Sequence, residues 1–110
     1  MRYRRTLTIP NGEDESEAIK VENVAGITFI SPSTLPETVT IEVSGERSGN
    51  SFGTLEEGGS DVELAAGKAL VVSPLPAKRI RLASGANVGA DRDFSLVIDE
   101  KLPGRGAGGR

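Results

Sequence analysis

The chain contains no cysteine, no histidine and no tryptophan. Without cysteine there is no disulfide framework and no thiolate zinc site, and the redox compartment leaves no mark on the composition. Without histidine, the commonest metal ligand and the usual general base near neutral pH are both missing. Aromatic residues are scarce, at three Phe and one Tyr. No apolar run approaches the roughly 20 residues that a helix needs to cross a bilayer. The opening residues MRYRRTLTIP carry basic side chains with no apolar stretch behind them, so no secretory signal is expected. The formal charge of −3 argues against non-specific binding to nucleic acid or membrane, which needs a basic surface.

What remains is an ordinary globular composition. Hydrophobic residues make up 36% of 110 positions and charged residues 26%, which suits one domain with one core. Alternation of apolar and polar residues dominates. Leu7 and Ile9 alternate with Thr6 and Thr8 before the turn signal Pro10-Asn11-Gly12. Ile19 and Val21 mark a second short strand, and Gly26–Ser31 a third that Pro32 ends. Thr38–Ser44 is the cleanest run, with Val39, Ile41 and Val43 on one face. After a hairpin loop at Gly45–Asn50, Ser51–Leu55 reads as a short strand and Glu56–Ser60 as a turn. Val62 and Leu64 alternate with acids, and Ala65–Lys68 turns the chain. Ala69-Leu70-Val71-Val72 is continuously apolar, which predicts burial on both faces. The last two runs, Ala77–Ala83 and Asp91–Ile98, flank a turn-rich link. No segment shows a 3.6-residue period.

The expected fold is all-β: a single-domain β-sandwich, jelly-roll or Ig-like, of about eight short antiparallel strands. Its body spans residues 1–101, with a basic arm at 1–5. A flexible Gly/Arg-rich tail follows at 102–110, where four of the 14 glycines fall in the last seven residues.

No catalytic constellation stands out. Ser44-Gly45-Glu46 and Ser48-Gly49-Asn50 read as loop residues, and no spacing marks a Ser–Lys or paired-carboxylate site. The acidic stretches Glu13-Asp14-Glu15 and Glu56–Asp61 match no calcium loop and read as solvated turns. A sugar platform needs exposed aromatic faces. Phe29 and Phe94 sit at core phase, which leaves only Phe52 in a loop-like setting. No cofactor is expected.

Charge is unevenly placed. Arg79 and Arg81 share one face of their strand, as do Asp91 and Asp93 of theirs; if those strands pair, cross-strand ion pairs follow. The ends are basic and the body acidic: five of 13 Lys and Arg lie at positions 2, 4, 5, 105 and 110. Basic arms of this kind suit docking on an acidic neighbour. The candidate partner-binding residues are therefore Arg2, Tyr3, Arg4, Arg5, Arg79, Arg81, Arg105 and Arg110.

Three stretches, TVTIEVSGERSGNSFGTL, VELAAGKALVVSPL and AKRIRLASGANVGADRDFSLVI, resemble a group of small tailed-phage and prophage head-associated structural proteins. The matching positions are Thr38–Val43, Phe52, Ala65–Lys68, Arg79–Gly85 and Asp91–Val97, within a resemblance that covers roughly residues 17 to 99. The chain lacks the Trp and most of the aromatics often seen in that group's middle strands. The motifs are structural, so the resemblance transfers no catalytic residue. It implies a capsid decoration (cement) protein on the outer surface of a phage head, made in the host cytoplasm. The major capsid protein is then the partner, and self-association as a trimer follows by analogy. The alternatives are a neck, tail or head-spike-base component, or a surface carbohydrate- or calcium-binding β-sandwich module.

Overall fold

In the computed structural model, which describes residues 2–73, 75 and 77–101, period-two alternation becomes eleven β-strands. There is no helix among the described residues. The long strands are β1 (Arg2–Ile9), β3 (Val24–Ile30), β4 (Val39–Ser44), β10 (Arg79–Ser84) and β11 (Arg92–Glu100). β9 (Ala69–Val72) has four residues. Five pieces have only two: β2 (Ile19–Lys20), β5 (Gly53–Thr54), β6 (Glu56–Glu57), β7 (Ser60–Asp61) and β8 (Glu63–Leu64).

The strands form two main sheets. One is ordered β1-β11-β3-β9 and the other β2-β10-β4-β5, with β8 also pairing β4. Every pairing is antiparallel. The pairing is nested: first with last (β1–β11), second with second-last (β2–β10), then β3–β9 and β4–β5. The pairs β11–β3 and β10–β4 close each sheet. This is the pattern of one long hairpin rolled up on itself. It brings Arg2 opposite Asp99.

Both sheets turn their apolar phase to a shared core. Phe94, Leu96, Ile27 and Phe29 come from the first sheet, and Ile80, Leu82, Val39 and Ile41 from the second. Residues opposite each other in register share a face. Leu96 lies opposite Phe29, Phe29 opposite Leu70 and Leu82 opposite Ile41, so one apolar layer runs across each sheet. Phe29 and Phe94 are fully buried, as their phase predicts.

One expectation needs correction, and one open condition is decided. The apolar run Ala69–Val72 is not covered on both sides. β9 is an edge strand of its sheet; Leu70 and Val72 pack on the core, whereas Val71 is 66% exposed. The run is continuous because the outer face carries apolar residues, not because a second layer covers it. Nor do the strands around the link 85–91 pair with each other. β10 belongs to one sheet and β11 to the other, and the link crosses between them, pinned by buried Val88. Its N–H bonds to the Glu13 carbonyl at 2.9 Å, and its carbonyl accepts from Gly12 N–H at 2.8 Å.

Between β5 and β8 the chain makes a small hairpin of its own. Glu57 pairs Ser60, leaving Gly58 and Gly59 as a two-residue loop with φ of +64° and +86°. Two successive positive φ values are the demand of a type I′ turn, which glycine meets without steric cost. At Gly26 the constraint is space: a Cβ there would lie 2.9 Å from the Val72 carbonyl oxygen, so β3 and β9 approach as closely as they do because no side chain intervenes.

Candidate functional site

The charged residues singled out above fall into separate places. Arg2, Tyr3, Arg4 and Arg5 form the first half of β1, an outermost strand that among the described residues pairs only with β11. Tyr3 and Arg5 share their face with Leu7 and Ile9, the core face. Leu7 and Ile9 are fully buried, yet Tyr3 is 39% exposed and Arg5 is exposed. The first half of β1 therefore projects past the cover that the second sheet gives to its other half. On the opposite face, Arg2 Nε donates to Asp99 Oδ1 at 2.7 Å, and that bond raises the guanidinium above its ordinary pKa. Arg4 and Arg5 are exposed and make no ion pair among the described residues.

Arg79 and Arg81 sit on the outer face of the other sheet and are already engaged. Arg81 Nε donates to Glu42 Oε1 at 2.6 Å, across the β10–β4 register, and its Nη2 lies 3.2 Å from Glu15 Oε2. The two guanidinium groups stand over the Phe52 ring, 4.1 Å (Arg81) and 4.8 Å (Arg79) from its centroid. Cation–π attraction of this kind contributes about 0.5–2 kcal/mol, more as the site is desolvated. Arg79 also donates through Nε to the Glu46 carbonyl and through Nη2 to the Gly49 carbonyl, both at 2.9 Å. These bonds tie the β4–β5 loop down onto β10. The condition for cross-strand pairs with Asp91 and Asp93 is not met, because β11 and the residues leading into it belong to the other sheet. Asp93 accepts from Thr8 Oγ1 at 2.7 Å, and Asp91 accepts from Asn11 N–H at 2.8 Å.

Arg105 and Arg110, like the whole 102–110 tail, lie outside the described residues.

Two features had weaker signals in the sequence. Arg92 donates to both oxygens of Glu37, at 2.9 and 3.1 Å, and both side chains are largely shielded. Its register partner is Ile9, so Arg92 sits on the core side of its sheet and closes one end of the core. The bidentate bond holds the Glu37 carboxyl below its usual range and raises Arg92. Nothing local in the sequence links these two residues, 55 positions apart.

The second feature is a groove of about 270 Å³ between β9 and the β6–β7 hairpin. Leu55, Val62, Leu70 and Val72 line it, and Glu56 and Glu57 stand at it. The run Ala69–Val72 was its sequence signal, with the apolar surplus on a strand that pairs on one side only among the described residues.

The stretch Ser44-Gly45-Glu46 is closed by a local bond: the Ser44 hydroxyl accepts from Glu46 N–H at 3.1 Å. No group of three or more His, Cys, Asp or Glu is placed to hold a metal ion among the described residues. Comparison with known proteins finds no matching family model, no matching curated protein and no matching solved structure.

Proposed function

We propose that this is a non-enzymatic virion structural protein, a capsid decoration protein that binds the outer surface of a phage head and stabilises the shell. The observation that carries the reading is the exposed half of β1, where Arg4 and Arg5 stand without ion pairs among the described residues on a strand paired along its length with β11. A basic edge of this kind suits an acidic neighbour, whether a capsid subunit or another copy of the chain. The major capsid protein is the proposed partner, with self-association among the decoration copies and the capsid surface as the location. Arg79 and Arg81 contribute less, because their donors are already taken up within the molecule.

The fold is read as a β-sandwich of jelly-roll type. Nested pairing of eight positions along a rolled hairpin supports this over an Ig-like arrangement. Jelly rolls serve viral shells, lectins and cupins alike, so topology supports the virion reading only by analogy. The resemblance of the second half of the chain to head-associated phage proteins adds to it.

Binding to the assembled lattice stabilises the shell by mass action, because the protein prefers the assembled form. The test is the copy number of this protein relative to the major capsid protein in purified particles, by quantitative mass spectrometry. Comparable numbers are expected. A few copies per particle would instead assign it to the neck, tail or a spike base, and absence from particles overturns the virion reading.

A further inference from the structure

The sheet ordered β1-β11-β3-β9 has two outer edges, and they are complementary. We propose that β1 of one copy adds to the β9 edge of a second copy, so that this sheet runs on from molecule to molecule in a head-to-tail joint. This deepens the self-association in the function proposed above and rests on that part alone. The joint is measured without any shell, so its failure and that of the virion reading are separate results.

Four observations carry it. The first is direction. All neighbours in the sheet are antiparallel, so β1 and β9 run oppositely, and β1 placed beside a second copy's β9 continues the alternation. Neither outer edge is paired to another strand among the described residues. Strand addition to such an edge gains main-chain hydrogen bonds, while alternate side chains choose the partner.

The second is apolar surface. Tyr3 and Val71 are the two exposed large hydrophobic residues of the described chain, and one lies on each edge. The third is the side that each residue faces. Tyr3 and Arg5 are on the core side of the sheet, and so are Leu70 and Val72, which line the groove beside β9. An incoming β1 therefore directs Tyr3 and Arg5 toward the groove. At about 270 Å³ it falls just below the roughly 300 Å³ at which pockets for small organic ligands begin, and it suits a single side-chain anchor.

The fourth is charge. β1 offers Arg4 and Arg5, and the hairpin beside β9 offers Glu56, Glu57 and Asp61, followed by Glu63. None of these six makes an ion pair among the described residues. Like charge opposes β1–β1 pairing, so the arginines discourage a symmetric dimer while favouring the acidic edge. A head-to-tail contact closes into a ring or continues as a filament, according to the rotation at each joint.

The experiment is sedimentation velocity of the full chain over a range of concentrations, at low and high salt. Two charge-reversed variants accompany it, R4E/R5E and E56K/E57K. The wild type is expected to associate, and less so in high salt, where exposed charges are screened. Each variant alone should remain monomeric with an unchanged circular dichroism spectrum. Mixed one to one, the variants should associate again, since each now offers the charge that the other's edge requires. V71K, which leaves both charge clusters intact, should weaken association at least about tenfold, the equivalent of about 1.4 kcal/mol; it keeps the test available if a double variant fails to fold.

A wild type that is monomeric throughout overturns the proposal, as do variants that associate like the wild type or a mixture that does not. A monomer whose β9 amides lose protection when residues 102–110 are removed gives the groove to the chain's own end and also overturns the joint.

Discussion

At the scale of single residues, the arginines divide by what surrounds them rather than by where they lie in the sequence. Arg81 is shielded, paired with Glu42 and Glu15 and stacked on Phe52. Arg92 is shielded and bidentate with Glu37. Arg4 and Arg5 are exposed. The Glu37–Arg92 pair makes stability depend on pH in a definite direction. Arg92 lowers the Glu37 pKa in the folded state, so the folded protein binds that proton less readily than the unfolded chain does. The resulting stabilisation is present above the unfolded carboxyl value, about 4.3, and is lost as pH falls through the lower folded value. Glu37→Gln should therefore lower the melting temperature near neutral pH. In strong acid, where the wild-type carboxyl is itself neutral, the two proteins should converge. A difference that stays constant from neutral pH to strong acid would remove the pair as its cause.

Ser16 shows how one side chain substitutes for a strand. It is buried and works along the edge of β10, its hydroxyl accepting from Leu82 N–H and its own N–H donating to the Leu82 carbonyl, both at 2.9 Å. The sequence reads the adjoining Glu13-Asp14-Glu15 as a solvated turn. The structure makes it a loop that also satisfies an edge.

At the scale of elements, the β6–β7 hairpin is the least supported strand pair. Both strands are two residues long and exposed, and the turn rests on two glycines at positive φ. Placing Ala at Gly58 and Gly59 forces side chains into the left-handed region, at about 1–2 kcal/mol each. Hydrogen exchange should then show lost protection at Glu57 and Ser60, with β3 and β11 unchanged. A global fall in protection would mean that this hairpin is part of the cooperative unit after all. β9 teaches a related point. Four apolar residues in a row describe a strand with little need of water on either side, but only the sheet order reveals that no further strand pairs with it among the described residues.

At the scale of the whole molecule, one core joins both sheets, and Phe29 lies near its middle with no exposed surface, opposite Leu96 on one side and Leu70 on the other. Phe29→Ala should cost about 3–5 kcal/mol through lost burial and the cavity left behind. A domain of this size is stable by only about 5–15 kcal/mol. Urea titration should show the midpoint falling sharply with an unchanged slope. A loss below about 1 kcal/mol would mean that the two sheets do not share a single well-packed core.

Much of the fold was legible in the sequence by itself. Alternation assigned the faces of β1, β4, β10 and β11, because a side chain's face in a strand depends only on its parity. The Pro and Gly clusters located most of the turns, because those residues restrict or permit backbone angles locally. The missing His and Cys removed whole classes of chemistry from consideration. Only the tertiary structure decided which strands pair, that β10 and β11 separate into different sheets, that Glu37 meets Arg92, and that the run Ala69–Val72 leaves one side uncovered. Parity tells a strand which of its sides is apolar but not what lies against that side. The partner is settled when distant segments close around a common core, and that information is spread over the whole chain rather than held in any one stretch of it.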